Sequence, residues 1–214
     1  MKYVIMCGGT YKDFEIPKQL SKVKGERLAD RTIRLLKENG IKDIYISSNN
    51  PLFDSCGVPR LENKENHFTL EKGSSTGYWL DAFYPNFKDD EKVCFLWGDV
   101  YFSNEAIKKI VNYNTEENVL FGNSVAMNTL HQNWGEPFAY KVNKYKEFMD
   151  GVNAVKRLYD KGLTKRHPIV WELYRYLNHL DINIQAIKYN YVPIDDDTID
   201  IDRPEQIEEM NARK

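Results

Sequence analysis

Short apolar runs alternate with amphipathic stretches along the first half of the 214-residue chain. Residues 3–7 form an apolar run of strand length. Residues 26–39 place apolar side chains at helical spacing and end before Gly40. Residues 41–47 again have the pattern of a strand. Because strand, helix and strand follow one another in this order, the pattern favours a βαβ unit and a parallel sheet.

The unbroken apolar run at residues 93–97 is typical of a central strand that is buried on both faces. Ser103 is a suitable N-cap for the helix that follows it. Residues 49–72 are rich in turn-forming residues, and we expect little regular structure there. The remaining pattern predicts helices at 104–112, 144–159, 168–179 and 204–213, and strands at 118–121, 138–142 and 183–192.

No internal repeat or low-complexity linker interrupts these elements. The length suits one domain, or one domain with a small lid. The sequence therefore predicts a single unit over residues 1–214, built as a three-layer α/β/α sandwich with a mostly parallel central sheet.

Composition and charge exclude several classes of protein. The formal net charge of −2 argues against a nucleic-acid partner. The three scattered cysteines, Cys7, Cys56 and Cys94, argue against a disulfide framework and a zinc site. No apolar run reaches membrane-spanning length. We therefore expect a cytoplasmic protein without a membrane partner, and the sequence does not indicate an oligomeric state.

The first predicted strand runs directly into Gly8, Gly9 and Thr10. A glycine turn after a strand lets backbone N–H groups approach an anion closely, and Lys18 could reach the same anion. A plain tight turn and a solvated lysine remain the alternative. Neither G-x-x-x-x-G-K-[ST] nor G-x-G-x-x-G is present.

Asp99 is the strongest single candidate for chemistry. It comes after the carboxyl end of the predicted central strand, where open α/β sheets bind their ligands, although it could instead only cap the following turn. Asp202 precedes Arg203 and Pro204 at the start of the last predicted helix, where an aspartate is a good N-cap.

Taken together, these segments resemble the nucleotidyltransferase family that makes activated sugars, lipid head groups and cofactors. The resemblance rests on the strand and Gly8-Gly9, on Pro17-Lys18, on Gly98-Asp99, and on the closing residues 200–204. It implies a fold like that of the nucleotide-diphospho-sugar transferases. It also implies catalytic roles for Lys18, Asp99 and Asp202, with Mg²⁺ bound by the two aspartates. The arginine that the family carries in its glycine-rich loop is missing, and Lys12 is the nearest replacement.

The resemblance also implies two sets of binding residues. Nucleotide contacts are expected at Met6, Cys7, Gly8, Gly9, Thr10, Lys12, Lys18, Ser74, Ser75 and Thr76. The acceptor is expected to bind within residues 123–192, where the candidates are Trp134, Glu136, Lys141, Lys165 and Arg166. The basic pair Lys165-Arg166 at a helix entry suits a phosphate, although a solvated turn is the alternative.

The reaction that this family performs combines an NTP with a phosphorylated small molecule to give a nucleoside-diphosphate conjugate and pyrophosphate. The short chain is most similar to cytidylyltransferases of capsule pathways that act on phosphoglutamine or phosphocholine, which favours CTP. A sugar-1-phosphate nucleotidyltransferase that uses another NTP, a glycosyltransferase of similar fold, and a non-catalytic nucleotide-binding regulator remain open alternatives.

Overall fold

A computed structural model describes residues 1–9, 13–71, 74–123 and 135–212. The helices in this part of the chain are α1 (Leu28–Glu38), α2 (Asn104–Asn112), α3 (Tyr145–Asp160), α4 (Val170–Leu177) and α5 (Pro204–Ala212). The strands are β1 (Lys2–Met6), β2 (Lys22–Val23), β3 (Glu26–Arg27), β4 (Ile44–Ser47), β5 (Arg60–Leu61), β6 (Thr69–Glu71), β7 (Ser74–Thr76), β8 (Val93–Trp97), β9 (Val100–Tyr101), β10 (Val119–Asn123), β11 (Glu136–Val142), β12 (Tyr191–Pro193) and β13 (Ile199–Asp200). Short 3-10 helices are formed by Lys18–Leu20, Pro51–Cys56 and Trp79–Ala82.

The central sheet has seven strands in the order β12-β10-β11-β8-β1-β4-β5. All of the described pairings are parallel except the two made by β11, which runs antiparallel to both β8 and β10. Every residue of β8 is buried, as the apolar run predicted. The predicted mostly parallel sheet is therefore confirmed.

Helices cover both faces of this sheet. Adjacent residues of a strand point to opposite faces, and Tyr140 and Lys141 of β11 show which helices lie on each. The ring of Tyr140 packs against Phe148 of α3, with ring centroids 4.9 Å apart. The Lys141 ammonium instead donates to the carbonyl of Ile110 in α2, at 2.8 Å. Because α1 packs against α2 and α3 against α4, the molecule has the predicted three layers.

A smaller apolar cluster lies beside the main core. Its buried members are Val23, Leu28, Tyr101, Ile201 and Met210. They come from the hairpin of β2 and β3, the start of α1, the strand β9 and the carboxy-terminal segment that includes α5. This cluster therefore joins the two ends of the chain next to the carboxyl edge of the central sheet.

Three local predictions differ from the structure. Helix α1 begins at Leu28 because the two residues before it pair with β2 in a hairpin whose turn includes Gly25, at φ +84°. Residues 183–192 form a strand only at their end, since Ile184 and Ile187 are exposed and bury no face. Residues 49–72 contain more structure than expected, including the edge strand β5.

None of the helices in the described part of the chain is both long and apolar enough to cross a bilayer.

Candidate active site

Lys18, Asp99 and Asp202 meet at the carboxyl edge of the central sheet. The Lys18 Nζ lies 2.8 Å from Asp99 Oδ2 and 3.5 Å from Asp202 Oδ1. The Lys18 side chain has no exposed surface, whereas the side chain of Asp99 is 12% exposed and that of Asp202 is 52% exposed. One buried cation thus links two carboxylates, and the carboxylates open toward solvent.

A two-stranded ribbon brings the two aspartates together. Strand β9 follows Asp99 and pairs antiparallel with β13, so that Val100 lies opposite Asp200. The N–H of Ile201 donates to the carbonyl of Asp99 at 3.0 Å. These backbone hydrogen bonds set Asp99 and Asp202 next to each other although they come from opposite halves of the chain.

Gly98 fits the end of β8 closely against the end of β1. Its N–H donates to the carbonyl of Met6 at 3.0 Å. A Cβ atom at this position would lie 2.6 Å from both Cys7 Sγ and the Met6 carbonyl oxygen. Because only glycine avoids these contacts, Gly98 sets Asp99 beside the glycine turn that follows β1.

Asp200 is the third carboxyl group at this site. Burial raises the pKa of Asp200 well above its usual range, and the charge of Asp99 raises that pKa further, while Lys18 opposes both. The Oδ1 atom of Asp200 is buried without a hydrogen-bond partner. This crowding of carboxyl groups favours the neutral form of Asp200 more than water does.

A cavity of about 450 Å³ adjoins the glycine turn. It is lined by Cys7, Gly8, Gly9, Phe14, Glu15, Ile16, Pro17, Ser48, Asn49, Asn50, Phe53, Asn66, Phe68 and Thr69. Cys7, Gly8 and Gly9, which were predicted to contact the nucleotide, line this cavity, and their role in nucleotide binding stays a prediction. Met6 does not line the cavity, because its carbonyl accepts from Gly98 and its side chain is buried.

Several predicted nucleotide contacts are only partly described. Thr10, Lys12 and the acceptor candidate Trp134 lie outside the described residues. Ser74, Ser75 and Thr76 form β7, which pairs with β6. The Thr76 hydroxyl lies 2.5 Å from the hydroxyl of Thr69, which lines the cavity. The roles of these β7 residues in nucleotide binding stay predictions.

The expectation that Lys141 contacts the acceptor is wrong. Lys141 is 4% exposed, and its ammonium donates to three carbonyls at the end of α2. The distances are 2.8 Å to Ile110, 3.2 Å to Val111 and 2.7 Å to Tyr113. Burial lowers the pKa of Lys141. Lys141 therefore caps a helix on the face of the sheet that α2 covers.

One member of the basic pair before α4, Arg166, forms an ion pair within the protein. Arg166 donates to both carboxylate oxygens of Glu172, at 2.9 and 3.3 Å. Glu172 in turn accepts from the backbone N–H of Ile169 at the start of α4, at 3.0 Å. The Arg166 guanidinium thus stabilises a helix start, but its side chain is 51% exposed, and its acceptor role stays a prediction. Lys165 is exposed, and its acceptor role stays a prediction.

Glu136 begins β11 at the same edge of the sheet as Asp99. It is 7% exposed and lies opposite Asn123. Its charge contributes to the raised pKa of Asp200. Glu136 therefore lies close enough to the aspartates to act on their electrostatics, and its acceptor role stays a prediction.

Sequence reasoning missed Gln206. The residue is 8% exposed, and its side chain hydrogen-bonds the carbonyl of Asp200 and the N–H groups of Asp202 and Arg203. A glutamine three residues after the residue that precedes a helix is half of the capping-box signature, so the spacing from Arg203 to Gln206 could have indicated it.

The donor set fits a magnesium ion. The described residues contain no group of three or more His, Cys, Asp or Glu side chains gathered for a metal. Magnesium, however, commonly takes only one or two carboxylates and completes its shell with substrate phosphates and water. Asp99 and Asp202 supply two such carboxylates, and both of them contact the Lys18 ammonium. Asp200 adds a buried oxygen without a hydrogen-bond partner.

The fold and this edge of the sheet define an α/β protein of the nucleotidyltransferase class. Residues 3–167 match the MobA-like NTP transferase domain family, and the chain belongs to this family. The fold is also similar to that of a Bacillus anthracis protein titled a glucose-1-phosphate thymidylyltransferase, solved in complex with sucrose. The two structures superpose with a TM-score of 0.60 at 15% sequence identity, over 99% of this chain and 94% of the other. No curated protein matches the sequence.

Proposed function

We propose that this protein transfers a nucleoside monophosphate from an NTP to a phosphorylated small molecule and releases pyrophosphate. The observation that carries the proposal is the contact of one buried lysine, Lys18, with both Asp99 and Asp202 beside a glycine turn. We propose CTP as the favoured nucleotide. We further propose a capsule-pathway acceptor such as phosphoglutamine or phosphocholine, and a single domain over residues 1–214 whose acceptor part is residues 123–192.

Each part of the site has a role in this reaction. Phosphoryl transfer depends mostly on positioning and on neutralising charge. The N–H groups of Gly8 and Gly9 and the Lys18 ammonium would stabilise negative charge on the α-phosphate and on the departing pyrophosphate. Asp99 and Asp202 would hold Mg²⁺, which supplies further positive charge when bound.

The proposed step needs no general base. An oxygen of the acceptor phosphate, which is already an anion, attacks the α-phosphorus in line. A new bond forms between that oxygen and the α-phosphorus, and the bond from the α-phosphorus to the bridging oxygen breaks. The electron pair leaves with pyrophosphate, and Lys18 keeps its proton throughout.

The cavity beside the glycine turn supports binding of the nucleotide at this place. Its wall combines the rings of Phe14, Phe53 and Phe68 with the polar side chains of Asn49 and Asn66. Its volume of about 450 Å³ falls within the range of small-molecule sites. Aromatic faces can stack on a base, and amide groups can hydrogen-bond its edge.

The test is a pyrophosphate-release screen of ATP, CTP, GTP, UTP and dTTP against phosphoglutamine, phosphocholine and sugar 1-phosphates. We expect turnover with CTP and one of the first two acceptors. Turnover with a sugar 1-phosphate and another NTP would support the alternative suggested by the fold of the thymidylyltransferase. No turnover with any pair, together with sugar release from a nucleotide sugar, would favour a glycosyltransferase.

A matched pair of variants connects that activity to the site. Asp99→Asn should abolish pyrophosphate release, whereas Asp150→Asn, at an exposed position on α3, should not change it. An active Asp99→Asn variant would contradict the proposed role of this carboxylate.

A further inference from the structure

We propose that Gln206 is a positioning residue for Asp202, and this inference depends on the proposed function because it takes Asp202 as a metal ligand. The Oε1 atom of Gln206 accepts from the N–H of Asp202 at 2.7 Å and from the N–H of Arg203 at 2.8 Å. The Nε2 atom of the same amide donates to the carbonyl of Asp200 at 3.2 Å. One side chain therefore clamps the backbone both before and after the segment that carries the carboxylate.

This arrangement needs an amide of this length. A carboxylate could accept from the two N–H groups but could not donate to the Asp200 carbonyl. Asparagine would carry both groups on a side chain that is one methylene shorter. Gln206 is the side chain that satisfies both halves of the segment from one place, and it is itself only 8% exposed.

Two buried apolar residues fix the clamp to the rest of the fold. Met210 lies one helical turn after Gln206 on α5 and is buried in the smaller apolar cluster. Ile201 belongs to the same cluster, has no exposed surface, and donates its N–H to the Asp99 carbonyl. The backbone at Asp202 is thus held from the side of α5 and from the side of Asp99.

The carboxylate of Asp202 depends on this backbone for its position. Its side chain is 52% exposed, and it contacts Lys18 only at 3.5 Å, whereas Asp99 contacts the same ammonium at 2.8 Å. A half-exposed side chain with one long contact is held in place mainly by its own backbone. If these hydrogen bonds are lost, the carboxylates of Asp99 and Asp202 should no longer be held in position to bind one ion together. A divalent ion should then bind less tightly.

The test measures the affinity for Mn²⁺ alone on the full chain, by electron paramagnetic resonance. We expect Gln206→Met, which keeps the volume but loses every hydrogen bond, to raise the Mn²⁺ Kd about 10- to 100-fold, the usual effect of removing a group that orients a ligand. Gln206→Glu keeps both accepted hydrogen bonds but loses the donated one, and should restore only part of the affinity. Gln206→Asp adds the same charge on a shorter side chain and should restore none of it.

Asn118→Leu provides the matched control for a plain loss of buried amide hydrogen bonds at a helix start. The Asn118 Oδ1 accepts from the N–H groups of Asn143 and Lys144 at 2.9 Å each, and its Nδ2 donates to the Lys144 carbonyl at 3.3 Å. Asn118 precedes β10, which runs in the same direction as β8, so it lies at the edge of the sheet opposite the aspartates. This variant should lower the melting temperature as Gln206→Met does, but should leave the Mn²⁺ Kd unchanged. An equal change in Kd in both variants would overturn the positioning role.

The variant Asp202→Asn separates the two levels of the proposal. If Asp202→Asn weakens Mn²⁺ binding and folded Gln206→Met does not, the inference about Gln206 fails and the metal role of Asp202 stands. If neither variant changes the Kd, the assignment of Asp202 as a ligand fails, and the clamp has no metal role. Both comparisons are independent of which acceptor the protein uses.

Discussion

The Lys18 ammonium lies 2.8 Å from the Asp99 carboxylate, with no part of the lysine side chain exposed. A buried ammonium requires a charged partner or several hydrogen bonds, since burial of an isolated ammonium is costly. Asp99 is the nearer of the two charged partners of Lys18, and it also stands where the proposed metal would bind. The ion pair thus holds the cation proposed to stabilise phosphate charge next to a carboxylate proposed to bind the metal.

Replacement of Lys18 should slow the catalytic step. We expect Lys18→Met to lower kcat about 10²- to 10³-fold, because it removes a donor that stabilises charge in the transition state. The measurement is the steady-state rate of pyrophosphate release with the best substrate pair. Lys22→Met, at an exposed lysine on β2, is the control and should keep its activity. Full activity of Lys18→Met would contradict the proposed role.

Gly98 should not tolerate a side chain. Gly98→Ala would bring a Cβ atom to 2.6 Å from Cys7 Sγ. We expect a loss of about 1–3 kcal/mol in the free energy of unfolding, as for other overpacked cores, and a fall in activity. Gly40→Ala serves as the control, because no atom lies within 4 Å of its Cβ and the only penalty is its φ of +80°. Urea unfolding and pyrophosphate release would measure both effects. A Gly98→Ala variant as stable and active as Gly40→Ala would refute the steric argument.

Lys141 should act on stability and not on the acceptor. Lys141→Met leaves the carbonyls of Ile110 and Tyr113 without their shared donor. An unsatisfied buried polar group costs about 1–3 kcal/mol, so the free energy of unfolding should fall by that order. The KM for the acceptor should stay unchanged. Lys108→Met, at an exposed position on α2, should change neither the free energy of unfolding nor the KM. A raised acceptor KM in Lys141→Met alone would restore the original prediction for this residue.

His167 should make the stability depend on pH. Its Nε2 accepts from the backbone N–H of Trp79 at 3.1 Å, and burial lowers the pKa of His167 although the charges of Asp81 and Glu172 oppose this. The rings of Phe68, Tyr78 and Tyr159 also lie against it. Because the folded protein disfavours the imidazolium, the contribution of His167 should be complete above the unfolded pKa of about 6.5 and should decrease as the pH falls below it.

The measurement is the free energy of unfolding in urea between pH 5 and pH 8, for the wild type and for His167→Gln. The wild type should lose stability toward pH 5 more steeply than the variant, since glutamine can accept the same hydrogen bond without titrating. Parallel curves for the two proteins would show that His167 does not titrate on unfolding.

The sequence by itself determined the order of elements and the strongest site candidates. The apolar run at Val93–Trp97 identified the central strand, because a strand buried on both faces needs no polar alternation. The carboxylate directly after it, Asp99, followed from the same argument. Residue spacing also predicted α2 and its cap at Ser103, which is a local interaction that lies within four residues.

Only the tertiary structure decided what lies beside what. Lys141 is a basic residue in the expected acceptor half, yet its ammonium is occupied by the carbonyls of Ile110 and Tyr113, which no local pattern reveals. The meeting of Asp99 with Asp202 depends on pairing between β9 and β13, and the role of Gln206 depends on how α5 packs. Such contacts join distant parts of the chain, whereas periodicity and spacing report only on neighbours along it.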